Sequence, residues 1–302
     1  ENKSEIGAAK WGAGMGIDAL KTVAKTLQDP FFGQYPNVKI QDENDTLFEE
    51  TPYRYARRID KILSLCSRLS HEVAEVMKEG KYFPVVISGD HSPAAGTIAG
   101  IRKANPGKRI GVIWIDAHFD LHSPYTTPSG NSHGMTVNTL LNNDNKSQSV
   151  RTLDDATIQL WDRIKLIKGN AGLPPENLIF VDVRDFESQE AHLVEEAEIA
   201  WIKPSGINEN GIEACIEKIF DTLSHCNYLY VSFDVDSLDT DIAKATGTPV
   251  DGGLKLEQAQ KLLEALVSDS RTQCLEITEF NPSLPNPELL LTAIETLLLP
   301  IL

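Results

Sequence analysis

Cysteine is scarce: Cys66, Cys215, Cys226 and Cys274 are the four in 302 residues, far apart and without a C-x-x-C spacing. A chain this long has no need of disulfide staples, so buried free thiols are expected. Long hydrophobic runs are missing too. The most apolar stretch, "LLLTAIETLLLPIL", falls short of the ~20 residues of a membrane span and carries Glu295. That run is expected to form a core helix, with a subunit contact as the other reading. Basic residues are the third shortage, 28 against 44 acidic, for a formal net charge of −16. Such a balance opposes binding to a phosphate backbone or an anionic membrane, so neither nucleic acid nor membrane is expected as a partner. A small cation suits it better. The opening "ENKSEIGAAKWG" has neither the apolar region of a secretion signal nor an initiator Met, so a cytoplasmic address is expected, with a few residues missing.

Apolar runs rich in β-branched residues are present at 82–89, 109–116, 177–183, 198–203, 228–235 and 273–280. Their hydrophobicity is continuous rather than alternating, which predicts strands covered on both faces. Segments of helical period lie between them, at 55–80, 92–104, 153–167, 211–225, 255–270 and 287–299. Alternation of this kind predicts an α/β fold with a central, mostly parallel sheet wrapped by helices. No repeat or linker divides the chain, so a single domain over 1–302 is expected. The acidic stretch "QDENDTLFEE" (41–50) reads as a solvated loop, and the long segment 122–150 as a functional one.

In an open parallel sheet, ligands bind beyond the carboxyl ends of the strands. Three predicted strands end in ionisable clusters: Asp90 and His91; Asp116, His118 and Asp120; Asp234, Asp236 and Asp239. On extended backbone, residues two apart share a side, so Asp116, His118 and Asp120 converge, as do Asp234 and Asp236. Buried carboxylates need a counter-charge, and neither motif contains Lys or Arg. His91, Asp116, His118, Asp120, Asp234 and Asp236 are too many ligands for one tetrahedral zinc but suit two divalent ions with bridging carboxylates. Oxygen and imidazole donors without thiolate point to two Mn²⁺, with Co²⁺, Fe²⁺, Ni²⁺ and Zn²⁺ also compatible. Metal-assisted hydrolysis is the expected reaction class. Phosphate-ester cleavage would call for cationic groups around the cluster, and the motifs hold none.

"GDHS", "WIDAHFD", "SGNSHGM" and "SFDVDSLD", in this order, resemble the ureohydrolases, the arginase and agmatinase family of binuclear manganese enzymes. The resemblance runs from "GAAKWGAGMGIDAL" to "EITEFNPS" and implies the three-layer α-β-α arginase-like fold. By resemblance, His91, Asp116, Asp120 and Asp234 would hold one manganese, and Asp116, His118, Asp234 and Asp236 the other. A hydroxide bridging the metals, oriented by Asp120, would attack the guanidinium carbon. His133 would shuttle protons or protonate the departing amine, and Glu279 would pair with the guanidinium, supported by Thr248.

The segment after the metal motif distinguishes the members. "LHSPYTTPSGNSHGM" carries Thr126, Thr127, Ser129 and Asn131, which are arginase-like and would hold an α-carboxylate, while His122 stands where Asn is usual. Imidazole also donates hydrogen bonds. In "VRDFESQE", Glu187 stands where an Asp helps bind the α-amino group. The expected reaction is hydrolysis of L-arginine to L-ornithine and urea. Agmatine or another guanidino acid is the alternative substrate, and a non-catalytic guanidine-binding member the third reading. A homo-oligomer, trimer or hexamer, follows from the same likeness.

Overall fold

The structure, a computed structural model, describes residues 1–169, 171–298 and 301. All six apolar runs form strands: β1 (Val85–Ile87), β2 (Ile110–Ile115), β3 (Leu178–Val181), β4 (Ala200–Ile202), β5 (Tyr228–Asp234) and β6 (Thr272–Thr278). They make one sheet in the order β1-β6-β5-β2-β3-β4, and every strand pairing in it is parallel.

Ten helices surround it among the described residues: α1 (Gly16–Thr26), α2 (Phe31–Gln34), α3 (Ile59–Glu79), α4 (Ala94–Ala104), α5 (Thr136–Leu141), α6 (Asp155–Lys165), α7 (Ser188–Glu196), α8 (Pro204–Thr222), α9 (Leu256–Ser268) and α10 (Pro287–Leu298). Helix α3 shows why such segments form. Ile59, Ile62, Leu65, Cys66, Leu69 and Val73 recur at helical spacing and are buried, and the helix stops at Gly80 in the left-handed region (φ 61°). Helix α6 starts where the Asp154 side chain accepts the Thr157 N–H.

Helices α1, α2, α5 and α7 lie outside the segments expected to be helical, and two further elements differ from expectation. Helix α8 begins at Pro204 rather than 211, and is kinked at Gly211 (φ 83°, ψ 165°). Proline pre-sets the first helical turn, while the polar "NEN" before Gly211 hides the apolar period there. The acidic stretch 41–50 is not wholly a solvated loop, because Asn44–Phe48 form a 3₁₀ turn that buries Leu47. Arg58 clamps that turn by donating to the carbonyls of Thr46 and Leu47.

The strands alternate their side chains between two cores. Val112 and Trp114 of β2 face one, with α3, α4, α6 and α7, while Ile113 and Ile115 face the other, with α1, α8, α9 and α10. The layers are therefore helices, sheet, helices. From β1 the chain moves to β2, then outward to β3 and β4, before returning to β5 on the opposite side of β2. Right-handed crossovers send helices to one face on the outward path and to the other on the return. Neighbouring strands β2 and β5 are consequently left in opposite directions, and a crevice opens beyond their carboxyl ends.

Helix α10 buries Leu290, Ala293, Ile294, Leu297 and Leu298, so this part of the C-terminal run is core; 299, 300 and 302 lie outside the described residues. The four cysteines are buried and free.

Candidate metal centre

The register of β2 against β5 pairs Ile115 with Phe233, so the next residues, Asp116 and Asp234, leave the sheet side by side. His91 arrives from the loop after β1. Its ring stacks on Trp114 with centroids 4.0 Å apart and an interplanar angle of 6°. Nδ1 of His91 then lies 3.1 Å from Asp116 Oδ2, 3.1 Å from Asp234 Oδ2 and 3.4 Å from Asp120 Oδ2. His118 Nδ1 lies 3.1 Å from Asp236 Oδ2 and 3.4 Å from Asp116 Oδ1. Asp116 thus turns one oxygen to each histidine. All six residues singled out as ligands come together here.

The donor set fits two divalent ions. His91, Asp116 and Asp234 form one group of converging ligand atoms, and Asp116, His118 and Asp236 a second that shares Asp116. Two of the atoms at its centre, His91 Nδ1 and Asp116 Oδ2, are buried and have no hydrogen-bond partner. A buried polar atom in that state is costly unless something binds it. Charge crowding points the same way. Burial and then Asp116 push the Asp120 carboxyl well above its usual range; burial with Asp236 and Asp116 does so for Asp234. For His91, burial disfavours the cation, but Asp116 and Asp234 outweigh it and raise the imidazole well above 6.5. Asp120 also holds a left-handed backbone (φ 53°), the kind of strain that persists where surrounding structure enforces it.

A second pair of groups borders the cluster. His133 Nδ1 lies 3.2 Å from Glu279 Oε1, which also accepts the His91 N–H at 3.0 Å. Burial disfavours the imidazolium, yet the Glu279 carboxylate prevails and lifts His133 to about 9. Glu279 too is left-handed (φ 70°). Thr248 donates to Asp236 Oδ2 at 3.2 Å, and its neighbour Gly247 runs close to Glu279.

In the segment after the metal motif, both ring nitrogens of His122 have internal partners: Nδ1 is 3.2 Å from Thr126 Oγ1 and Nε2 is 2.9 Å from Glu187 Oε2. The resemblance implies His122 as a donor to substrate, but in this arrangement no ring nitrogen is free for that. Glu190 sits 3.5 Å from the same Nε2 and accepts the N–H groups of Leu121 and Glu187. Burial pushes Glu190 up to about 7, while the hydrogen bond to His122 holds Glu187 at about 2. Thr127 Oγ1 accepts the Gly130 N–H, exposed Ser129 accepts the Asn131 N–H, and Asn131 Oδ1 accepts from Arg57. Gly130 is required here, because its φ is 80° and a Cβ would lie 2.2 Å from the Arg54 carbonyl oxygen.

The model of the Arginase family matches residues 4–297 of the chain. The chain belongs to the arginase family. It is 31% identical to the arginase of Bacillus subtilis over 289 residues, 93% of this chain and 88% of that protein. It is 32% identical to the arginase of Emericella nidulans over 253 residues, 83% of this chain and 74% of that one. The crystal structure of the Bacillus subtilis arginase superposes with a TM-score of 0.80 at 28% identity, covering 98% of this chain and 94% of that one. Arginases are hydrolases of C–N bonds, and this family member is one.

Several residues that shape this arginase-family site escaped the sequence reading. Trp114 and Ser232, which hold the His91 ring, each lie two residues before Asp116 or Asp234 on the same side of the strand, so the strand period could have found them. Arg184 could not be found that way. It donates to Asp182 and to the carbonyls of Asp236, Val250 and Asp251, groups up to 67 residues away.

Proposed function

We propose that this chain hydrolyses L-arginine to L-ornithine and urea with two Mn²⁺ ions. His91, Asp116, Asp120 and Asp234 would hold one ion and Asp116, His118, Asp234 and Asp236 the other. The observation that carries this reading is the divided Asp116 carboxylate, one oxygen 3.1 Å from His91 Nδ1 and the other 3.4 Å from His118 Nδ1, in an arginase-family chain. When bound, two such ions supply Lewis acidity that makes water nucleophilic near neutral pH.

The chain's own groups do the rest. Glu279 offers a carboxylate to the planar guanidinium, a pairing that favours bidentate hydrogen bonds. Thr248 steadies Asp236 beside it. His133, whose protonated form Glu279 favours from 3.2 Å, is placed to give a proton to the departing amine nitrogen. Asp120 orients the attacking water. At the far end of the substrate, Glu187 receives the α-ammonium, and Thr127, Ser129 and Asn131 face the α-carboxylate. His122 serves by holding Glu187 in place, because its own nitrogens are taken.

That engagement of His122 also favours a second reading, in which the substrate is agmatine or another guanidino compound that needs no donor there. Urea release by the Mn²⁺-loaded enzyme from arginine and from agmatine separates the two. A clear preference for agmatine would overturn the arginine reading.

Residues 1–302 would act as one catalytic domain in the cytoplasm, in a trimer or hexamer, the oligomer being carried over from the family likeness. Among the described residues no helix is long and apolar enough to cross a membrane.

A further inference from the structure

Glu276 is a buried acid that the proposed reaction does not use. It lies in the middle of β6 with 0% of its surface exposed. Its partners are two hydroxyls: Ser88 donates to Oε1 at 2.7 Å and Tyr230 donates to Oε2 at 2.9 Å. Both oxygens accept, as in a carboxylate. A carboxylate so deep in a protein needs compensating charge nearby.

Tyr230 belongs to β5, and Ser232 and Asp234 follow it on the same side of the strand. Ser232 is the register partner of Glu276 on the neighbouring strand, and its hydroxyl lies 2.7 Å from Nε2 of His91. On the far side of the same ring, Nδ1 has no hydrogen-bond partner and faces the carboxylates of Asp116, Asp120 and Asp234. Trp114 stacks on the ring and fixes its plane. A line of polar groups therefore leads from the interior of the sheet to the back of one candidate metal ligand.

We propose that Glu276 is a positioning residue for the metal centre: through Tyr230 and Ser232 it fixes His91 as the tautomer that keeps its proton on Nε2 and offers the Nδ1 lone pair to a divalent ion. The direction follows from the end of the line, because a carboxylate only accepts. Tyr230 commits its proton to Glu276, its oxygen is left to accept from Ser232, and the Ser232 oxygen accepts from His91 Nε2–H. With that order lost, Ser232 is able to donate to Nε2 instead, which selects the tautomer whose Nδ1–H blocks the ion. The divalent charge in turn offsets the buried carboxylate. Groups behind a ligating histidine are worth about 10–100-fold in metal affinity.

The inference rests on the two-metal reading and is tested apart from catalysis. Purified wild type, Glu276→Gln, Tyr230→Phe and the double variant would be stripped of metal and titrated with Mn²⁺ against a competing chelator. A glutamine amide donates toward one of the two hydroxyls and so reverses part of the line. One of the two Mn²⁺ ions is expected to bind about 10-fold more weakly or worse in each single variant, with the double variant no worse than the weaker single. A merely structural role would lower the melting temperature of the metal-free chain and leave Mn²⁺ affinity unchanged. Two ions held at wild-type affinity by the variants would overturn the inference alone, and if Glu276→Gln does not fold, Tyr230→Phe decides. A wild type that binds no Mn²⁺ would overturn both it and the two-metal reading.

Discussion

His133 and Glu279 form the residue pair with the clearest pH signature. The His133 pKa of about 9 lies above the unfolded value near 6.5, so the pair stabilises the fold fully below about pH 6.5 and loses that contribution as pH rises through 9. In the metal-free chain the effect should be on the order of 3 kcal/mol, and it should vanish in His133→Asn. Denaturant unfolding of both proteins at pH 6 and pH 10 measures it, and an equal pH dependence in the two would refute it. If His133 protonates the departing amine, His133→Asn should also lower kcat by about 10²-fold or more. The six candidate ligands, His133 and Glu279 were legible from strand-end motifs and resemblance because each stands in a short local pattern. Their environment was not. That His122 spends both ring nitrogens on Thr126 and Glu187 depends on a helix start 65 residues away. Asp116→Asn should leave fewer than two Mn²⁺ per chain and abolish urea release, since no amide bridges two dications as a carboxylate does. Elemental analysis of the variant returning two ions would count against the shared ligand.

Among the connecting elements, the loop after β3 has the most to hold. Arg184 spans from Asp182 to the carbonyls of Asp236, Val250 and Asp251, and thereby ties the β3 end to the loop that carries Asp236 and Thr248. Lysine cannot supply that many fixed donors. Arg184→Lys should therefore destabilise the fold by about 1–2 kcal/mol, as partly buried carbonyls lose partners. It should also raise the Mn²⁺ concentration needed for activity. Thermal unfolding with a metal titration checks both, and a neutral outcome would show the loop to be self-supporting. The strands and most helices were legible at this scale, since hydrophobic period and punctuation are local properties. The start of α8 and the 3₁₀ turn around Leu47 were not, because a polar first turn and one apolar residue among acids acquire their structure from what packs on them.

For the whole molecule, the metal centre is a site of stored electrostatic cost. Four carboxylates meet at the crevice between β2 and β5, with two imidazoles to offset them. Ions that bind only the folded chain stabilise it by about 2.7 kcal/mol at a hundredfold excess over Kd, which for a chain of this size is a shift of roughly 5 °C in Tm. Chelation should lower Tm by that order and Mn²⁺ should restore it. A melting temperature indifferent to both would argue that the cluster is neutralised by protons alone.

By itself, the order of residues determined the alternation of strand and helix, the free thiols, the strand-end motifs and the family likeness, because each is written in neighbouring positions. Only the tertiary structure decided that β5 returns beside β2, so that Asp116 and Asp234 leave the sheet together, and that Ser232, Tyr230 and Glu276 stand in line behind His91. Such arrangements depend on strand order and register, which bring distant segments within 3 Å of one another, and no local pattern encodes that distance.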